Sequence, residues 1–267
     1  MKLITFTSDF GKQSQGIAAM KGLVLKLCPE ARFIDIMHGI EDFDIKAGAR
    51  ALETTAYLPV GCHVCVVDPG VGTARKGIAI LTKRGDYLIG PDNGVLIPAA
   101  KRLGGIIKAV ALENPKYQAE EVSPIFHGRD VFSAAASHLA NGVNVEEFGR
   151  ELREESLAEA AYEDALIEDG TIKAEVIHIN KFGSVHLNIL HETWDKLGVK
   201  PGSKIVVEFN NQKVILPFNR TFGDVEKGRA LIMKDDFGRI ELARNLASFV
   251  KEYKVEAGEK VRIRKYP

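Results

Sequence analysis

The chain has 267 residues, 45% of them apolar, enough for one large domain or two modest ones with a conventional core. Lys plus Arg and Asp plus Glu each total 36, so no net field draws a polyanion, and a small molecule is expected as partner rather than nucleic acid or an acidic membrane. No apolar stretch approaches the roughly 20 residues that cross a bilayer, no signal-peptide pattern precedes the first strand-like run, and Cys28, Cys62 and Cys65 make an odd set, not a disulfide framework; a cytoplasmic protein is expected.

Residues 1–160 read as an α/β domain around a mostly parallel sheet, because short β-branched runs alternate with segments of helical period. Strands are predicted at 3–7, 33–37, 63–67, 77–81, 87–90 and 108–111, and helices at 16–28, 45–57, 94–103 and 130–140, closed by Pro29, Pro59, Gly104 and Gly142. Cys62 and Cys65 fall on or beside one strand, where residues three apart face opposite sides, so a zinc or redox pair is not expected. The acidic, Ala-rich stretch 151–169 reads as a linker ending in the turn signal E-D-G. Residues 161–267 then give short strand-like runs at 174–179, 185–190, 204–208, 213–216, 230–233, 239–243 and 260–264, with Asn210-Asn211 as a hairpin turn: a smaller all-β, barrel-like domain.

Ligands of α/β sheets collect beyond the carboxyl ends of the strands. Four runs stand there or at a helix entry: T-S-D-F-G at 7–11, D-P-G-V-G-T-A-R at 68–75, G-P-D-N-G at 90–94 and F-H-G-R-D at 126–130. The Gly70-Val71-Gly72 turn is no dinucleotide fingerprint, since Arg75 occupies the place of the third glycine, and no phosphate loop, since Ile78 follows Gly77 where lysine is required.

Together with V-V before the second run, I-N-K-F-G at 179–183 and A-R-N at 243–245, these motifs closely resemble the S-adenosyl-L-methionine hydroxide adenosyltransferases, relatives of the fluorinating and chlorinating enzymes that act on the same carbon. The resemblance implies hydrolysis of S-adenosyl-L-methionine to adenosine and L-methionine, with no cofactor and no metal. It also implies a homotrimer whose sites lie between the N-terminal domain of one subunit and the C-terminal domain of its neighbour. Asp68, Arg75 and His127 fall on the family's polar triad, which holds and activates the attacking water. Bulk water, with a pKa of about 15.7, is a poor nucleophile, and a cation, a carboxylate and an imidazole around it are the groups that make hydroxide accessible. Singly, Asp68 reads as a turn cap, Arg75 as a surface charge and His127 as a helix entry; jointly they read as catalytic.

Among substrate-binding positions, the resemblance assigns Asp9 to the ribose hydroxyls and Asn93 to the wall of the site, against plain readings as an Asx turn and a helix cap. Phe182 corresponds to an aromatic on the adenine, and Arg244 with Leu246 to the segment whose backbone reads the adenine edge; the plain readings are a core aromatic and a surface charge beside a core leucine. Asn180 and Ser184 stand where many relatives carry Asp and Asn, which weakens the contacts expected for the methionine ammonium and the adenine. Phe237 follows Asp235 and Asp236 in the loop expected to grip the methionine carboxylate, and the sequence gives no physical account of it. His178 and His186 face each other across a predicted hairpin without further metal ligands. Two rival readings are a halide adenosyltransferase, disfavoured by the complete Asp-Arg-His set, and a non-catalytic S-adenosylmethionine or adenosine sensor.

Overall fold

Strands β1 (Leu3–Ser8) and β3 (Cys62–Val66) are buried along their whole length, as strands are when helices cover both faces of a sheet. They form the centre of a computed structural model that describes residues 2–267. The chain divides into two units between Ala161 and Tyr162.

In the first unit β1 and β3 are joined by β2 (Arg32–Met37), β4 (Gly77–Thr82), β5 (Tyr87–Pro91), β6 (Ile106–Ala111) and β7 (Glu151–Leu152) in the order β2-β1-β3-β5-β4-β6-β7. Helix α1 (Gln15–Leu27) starts at Ser14, whose side chain accepts from Gly16 N, and ends just before Pro29. Its Met20 and Val24 pack with Ala135 and Leu139 of α4 (Ala134–Ala140) onto Ile4, Phe6, Val64 and Val66. Helices α2 (Ile45–Leu52), capped by Asp44, and α3 (Ile97–Arg102) pack on each other, and α2 also packs on β1 and β3.

The sheet is mixed, which corrects the mostly parallel arrangement expected from the sequence. Pairs β1–β2, β1–β3 and β3–β5 are parallel, whereas β4 runs antiparallel to both β5 and β6, and β7 antiparallel to β6. The reason is the connection from β4 to β5: Thr82 N donates to Asp86 O and Gly85 turns with φ +96°, a tight hairpin, while a parallel crossover needs about a dozen residues or more. Two predicted helices also differ. Residues 53–57 leave α2 as a 3-10 turn, and α4 is preceded by a π-helical turn, Gly128–Ser133.

The stretch read as a linker is folded at both ends. Its start is β7, and its end is β8 (Leu166–Glu168), which pairs with β9 (Thr171–Ile179). In the second unit these are followed by β10 (Val185–Leu190), α5 (His191–Asp195), β11 (Lys204–Phe209), β12 (Gln212–Pro217), β13 (Ala230–Lys234), β14 (Arg239–Arg244), α6 (Phe249–Tyr253) and β15 (Lys260–Lys265). The antiparallel order is β12-β11-β15-β9-β10-β14-β13, and a bridge between Phe218 and Ile232 links its two ends into a nearly closed barrel around Trp194, Phe209, Phe249 and Ile263. Asn210 and Asn211 take φ of +47° and +57° between β11 and β12, the paired left-handed conformation of a tight hairpin.

Cys62 and Cys65 are free and buried, and burial pushes the Cys62 thiol up to about 12. His63, between them, bridges Thr5 Oγ1 at 2.9 Å and Asp86 Oδ1 at 3.0 Å. Asp86 also accepts from Gly61 N and from the Arg84 guanidinium. Burial alone would raise this carboxyl, but the His63 and Arg84 hydrogen bonds hold it far below the usual carboxylate range. Because the folded-state value is depressed, its stabilisation is complete above the unfolded value of about 3.9 and is lost as pH falls below it. Asp86→Asn is therefore expected to cost about 3 kcal/mol at neutral pH, the scale of breaking a buried ion pair. In urea titrations the gap from the parent protein should narrow below about pH 4.

Candidate active site

In the first unit, strand β3 ends at Val66 and the chain reverses at once, with Val71 N donating to Asp68 O and Thr73 N to Gly70 O. Gly72 turns at φ +77°, and a Cβ there would stand 2.9 Å from Pro124 O, so the tight return needs glycine. The turn brings Arg75 back onto Asp68 in a two-pronged pair: Nε donates to Oδ1 at 2.8 Å and Nη2 donates to Oδ2. The side chains are only 10% and 5% exposed, which shields the pair from water. The guanidinium also lies 5.2 Å from the Phe132 ring centroid, and its Nη2 is 3.0 Å from His127 Nδ1.

His127 is the entry residue of the π-helical turn. A Cβ on the next residue, Gly128, would stand 2.9 Å from Val66 Cγ1, so glycine lets the turn seat directly on β3 and sets the imidazole beside Asp68. Ser133 Oγ closes the widened turn on Gly128 O at 2.7 Å. Asp130, buried in the same turn, accepts from Ser123 N at 2.9 Å and from Arg129 at 2.6 Å, which fixes the segment before His127.

Asp9, Asp68 and His127 share a cavity of about 310 Å³, whose walls include Asp42, Phe43 and Ile125. Asp9 accepts from Phe43 N at 3.1 Å; burial pushes its carboxyl up, and that hydrogen bond opposes the shift. Ser8 Oγ and His38 Nδ1 stand 2.7 Å apart, and Gly11 N donates to His38 O, so the loop after β2 braces the loop that carries Asp9. Asn93 is not among the residues lining this cavity. Its amide donates to Val67 O at 2.9 Å and its carbonyl accepts from Val95 N, tying the end of β3 to the turn before α3.

In the second unit, Asn180, Phe182, Ser184, Phe237, Arg244 and Leu246 all line one cavity of about 650 Å³. Asn180 has no free carbonyl for a ligand: its Oδ1 accepts from Phe182 N at 3.0 Å and Ser184 N at 3.1 Å, and its Nδ2 is 3.3 Å from His186 Nε2. It holds the turn that presents Phe182, which is 69% exposed and stacked under the Lys181 ammonium. Arg244 donates to Gly228 O and Ser248 O and pairs with Glu252, while Leu246 stands outward in a left-handed conformation. Phe237 belongs to a turn that Asp235 closes by accepting from Phe237 N and Arg239 N.

Sequence reasoning missed two residues of this cavity. His186, on β10, is bonded to Asp235 at 3.0 Å, and Glu241, its partner across the β10–β14 ladder, has its carboxylate in the same space. The signal was present for Glu241: an acid inside the apolar run I-E-L-A, in a strand that is buried from Arg239 to Ala243. A larger concavity of about 700 Å³ along β9, β11, β12 and β15 contains none of the motif residues.

The two units match two halves of a single family. Residues 4–149 match the SAM hydroxide adenosyltransferase N-terminal domain, and residues 174–262 match its C-terminal domain. The chain belongs to the SAM hydroxide adenosyltransferase family. A protein of Salinispora arenicola named (R)-S-adenosyl-L-methionine hydrolase is 36% identical over 97% of both chains. A Nocardia brasiliensis protein named fluorinase is 30% identical over 98% of this chain and 96% of its own. Among solved structures, an uncharacterized conserved protein of Thermotoga maritima superposes with a TM-score of 0.90 at 31% identity, covering 98% of this chain and 99% of that one.

In this member of the SAM hydroxide adenosyltransferase family, the Arg75 contact decides the state of the imidazole. An arginine has only hydrogens to offer, so Nδ1 of His127 accepts, and the neutral ring carries its proton on Nε2. Burial, and then the Arg75 charge, hold His127 below the usual imidazole range, while the Asp68 and Asp130 carboxylates pull the other way. No group of three or more His, Cys, Asp or Glu among the described residues is arranged to hold a metal ion, and no described helix is long and apolar enough to cross a membrane. Nitrogen-15 NMR is expected to find the Nε2–H tautomer of His127 at neutral pH, titrating below the ordinary value of about 6.5. In Arg75→Met the titration should move upward, because a lowering charge is gone and Asp68 is left unopposed.

Proposed function

We propose that the chain hydrolyses S-adenosyl-L-methionine to adenosine and L-methionine, by in-line attack of water on the ribose 5′ carbon. The observation that carries this reading is the Asp68–Arg75–His127 cluster at the wall of a cavity that also holds the Asp9 carboxylate. Full-length relatives named (R)-S-adenosyl-L-methionine hydrolase support it.

Asp9 accepts hydrogen bonds from the ribose diol, which sets the 5′ carbon toward the cluster. The attacking water donates one hydrogen to Asp68, whose oxygens keep free lone pairs beyond those directed at Arg75. The His127 Nε2–H donates to the water oxygen and fixes its lone pair toward carbon. Arg75 lowers the cost of the growing hydroxide character and holds the Asp68 carboxylate in position. As the carbon–sulfur bond breaks, its electron pair neutralises the sulfonium, and the water proton leaves by Asp68. Arg75 already supplies the positive charge beside the water, and no protein-bound metal or other cofactor has a role in this scheme.

The second half of the site is the cavity of the second unit, supplied by a neighbouring subunit of a homotrimer. Exposed apolar side chains at both cavities support an assembly that covers them: Phe43 is 65% and Ile125 78% exposed at one, Phe182 69% and Leu246 80% at the other. In that assembly Phe182 stacks on the adenine, and the backbone between Arg244 and Leu246 reads its edge. Ser184 adds a hydroxyl to the same wall. Glu241, which has no hydrogen-bond or ion-pair partner among the described residues, takes the methionine ammonium in place of the occupied Asn180.

Purified protein incubated with S-adenosyl-L-methionine in chloride-free buffer is expected to release adenosine, followed by chromatography, and Asp68→Asn to lower kcat by about 100-fold or more, the scale of general-base loss. The rate should fall on the acid side with a midpoint below about 6.5, since protonating His127 forces Nδ1 off Arg75. A halide-dependent 5′-halonucleoside in place of adenosine would assign the chain to halide transfer, and tight binding without product would make it a sensor.

A further inference from the structure

Two of the turns that wall the cavity of the second unit are far apart in sequence, and a single imidazole ties their roots together. The first turn, Asn180 to Ser184, is closed by Asn180 N donating to Ser184 O and by Asn180 Oδ1 accepting from Phe182 N and Ser184 N. The second, Asp235 to Arg239, is closed in the same manner. Asp235 N donates to Arg239 O, and its Oδ1 accepts from Phe237 N at 2.9 Å and Arg239 N at 2.8 Å. Each turn carries an exposed aromatic ring to the cavity, Phe182 on one and Phe237 on the other. Between them stands His186 of β10, with Nδ1 3.0 Å from Asp235 Oδ2 and Nε2 3.3 Å from Asn180 Nδ2.

These partners leave the ring one arrangement. Two backbone hydrogens point at Asn180 Oδ1, so the amide cannot turn round and its NH2 group faces the imidazole. That group only donates, so Nε2 accepts and the ring proton sits on Nδ1, where the Asp235 carboxylate receives it. The tautomer is the reverse of the one His127 takes. His178 on β9 lies beside the ring, with centroids 5.5 Å apart, and Glu241 stands opposite on β14. Val185, Leu187 and Ile189 of the same strand belong to the barrel core, so His186 is on the other face and adds nothing to that packing. Its bonds run to the two turns.

We propose that His186 is a positioning residue for substrate binding, which locks the Phe182 turn to the Phe237 turn and fixes the spacing of the two walls before the substrate arrives. The identity of that substrate rests on the hydrolysis proposed above. The imidazole takes no part in the bond change, which belongs to Asp68, Arg75 and His127 of the first unit. Without the lock, the substrate would have to order two separate turns as it binds, a cost that appears in affinity and not in the chemical step.

The test follows S-adenosyl-L-methionine turnover by the full chain and three variants. His186→Phe keeps a ring and cuts both bonds, His186→Asn keeps an N–H near the Nδ1 position for Asp235 only, and His186→Gln keeps an oxygen near the Nε2 position for Asn180 only. A lock fails when either arm is cut, so each variant is expected to raise KM by about tenfold, the scale of one to two hydrogen bonds, with kcat within about threefold of the parent. A KM within about twofold of the parent in any of the three, or a kcat that falls as far as KM rises, overturns the proposal. Nitrogen-15 NMR reads the lock without turnover and without relying on a His186 variant. The parent is expected to show His186 as the Nδ1–H tautomer, and Asn180→Asp to add a second ring proton at the same pH, because carboxylates then flank both nitrogens. An Nε2–H tautomer in the parent overturns the proposal. If the parent releases no adenosine, the hydrolysis reading fails and calorimetric binding of S-adenosyl-L-methionine decides the lock by itself. Binding about tenfold weaker in His186→Phe upholds it, and equal affinity overturns it.

Discussion

The two-pronged pair between Asp68 and Arg75 is the constraint on which the first unit's site depends. It closes the turn at the end of the central buried strand, sets the tautomer of His127 through the same guanidinium, and gives a nearly buried carboxylate its counter-ion. Each of those effects needs the others. Without the tight Gly70–Thr73 return Arg75 does not reach Asp68, and without Asp68 the guanidinium would be a nearly buried cation with an aromatic face and a neutral imidazole for company. The surrounding hydrogen bonds, from Ser133 to Gly128 and from Ser123 and Arg129 to Asp130, hold the imidazole side of the same contact.

Much of this was legible in the sequence because the residues concerned sit at strand ends, where local pattern and position coincide. The runs at 7–11, 68–75 and 126–130 are far apart in the chain, yet each follows a buried strand or opens a helix, so the sheet edge collects Asp9, Asp68 and His127. What failed to show depended on partners distant in sequence. The antiparallel β4 reads like its parallel neighbours, since both are short apolar runs, and only the brevity of the β4–β5 connection distinguishes it. Asn93 carries the same local signature as a cap and as a ligand; in the fold its side chain ties Val67 O to Val95 N, while α3 itself is capped further on, at Leu96. Asn180 looked like a weakened ligand, but the backbone of its own turn claims its carbonyl. The meeting of His186 with Glu241 exists only once β10 and β14 are in register.

The two cavities differ in how their charges are balanced. In the first unit Asp68 has its counter-ion built in, and the remaining acids are held by backbone hydrogens or exposed to solvent. In the second unit the Arg244 guanidinium is paired with Glu252 and the buried imidazole is engaged by Asp235, while Glu241 and Asp236 have no such partner among the described residues. Such a division suits a cationic ligand, whose charge completes the site on arrival.

The π-helical turn at Gly128–Ser133 has a further consequence. A π-turn holds one residue more than the α-helical turn it replaces, and each residue of an α-helix advances the side-chain direction by about 100°. That extra residue separates the heading of His127 from the heading of α4, whose alanines and Leu139 must face the sheet. The lineage can therefore repack the helix against its core by ordinary substitution while the imidazole keeps its aim. Loss of a single residue from the turn would force one of the two to face the wrong way.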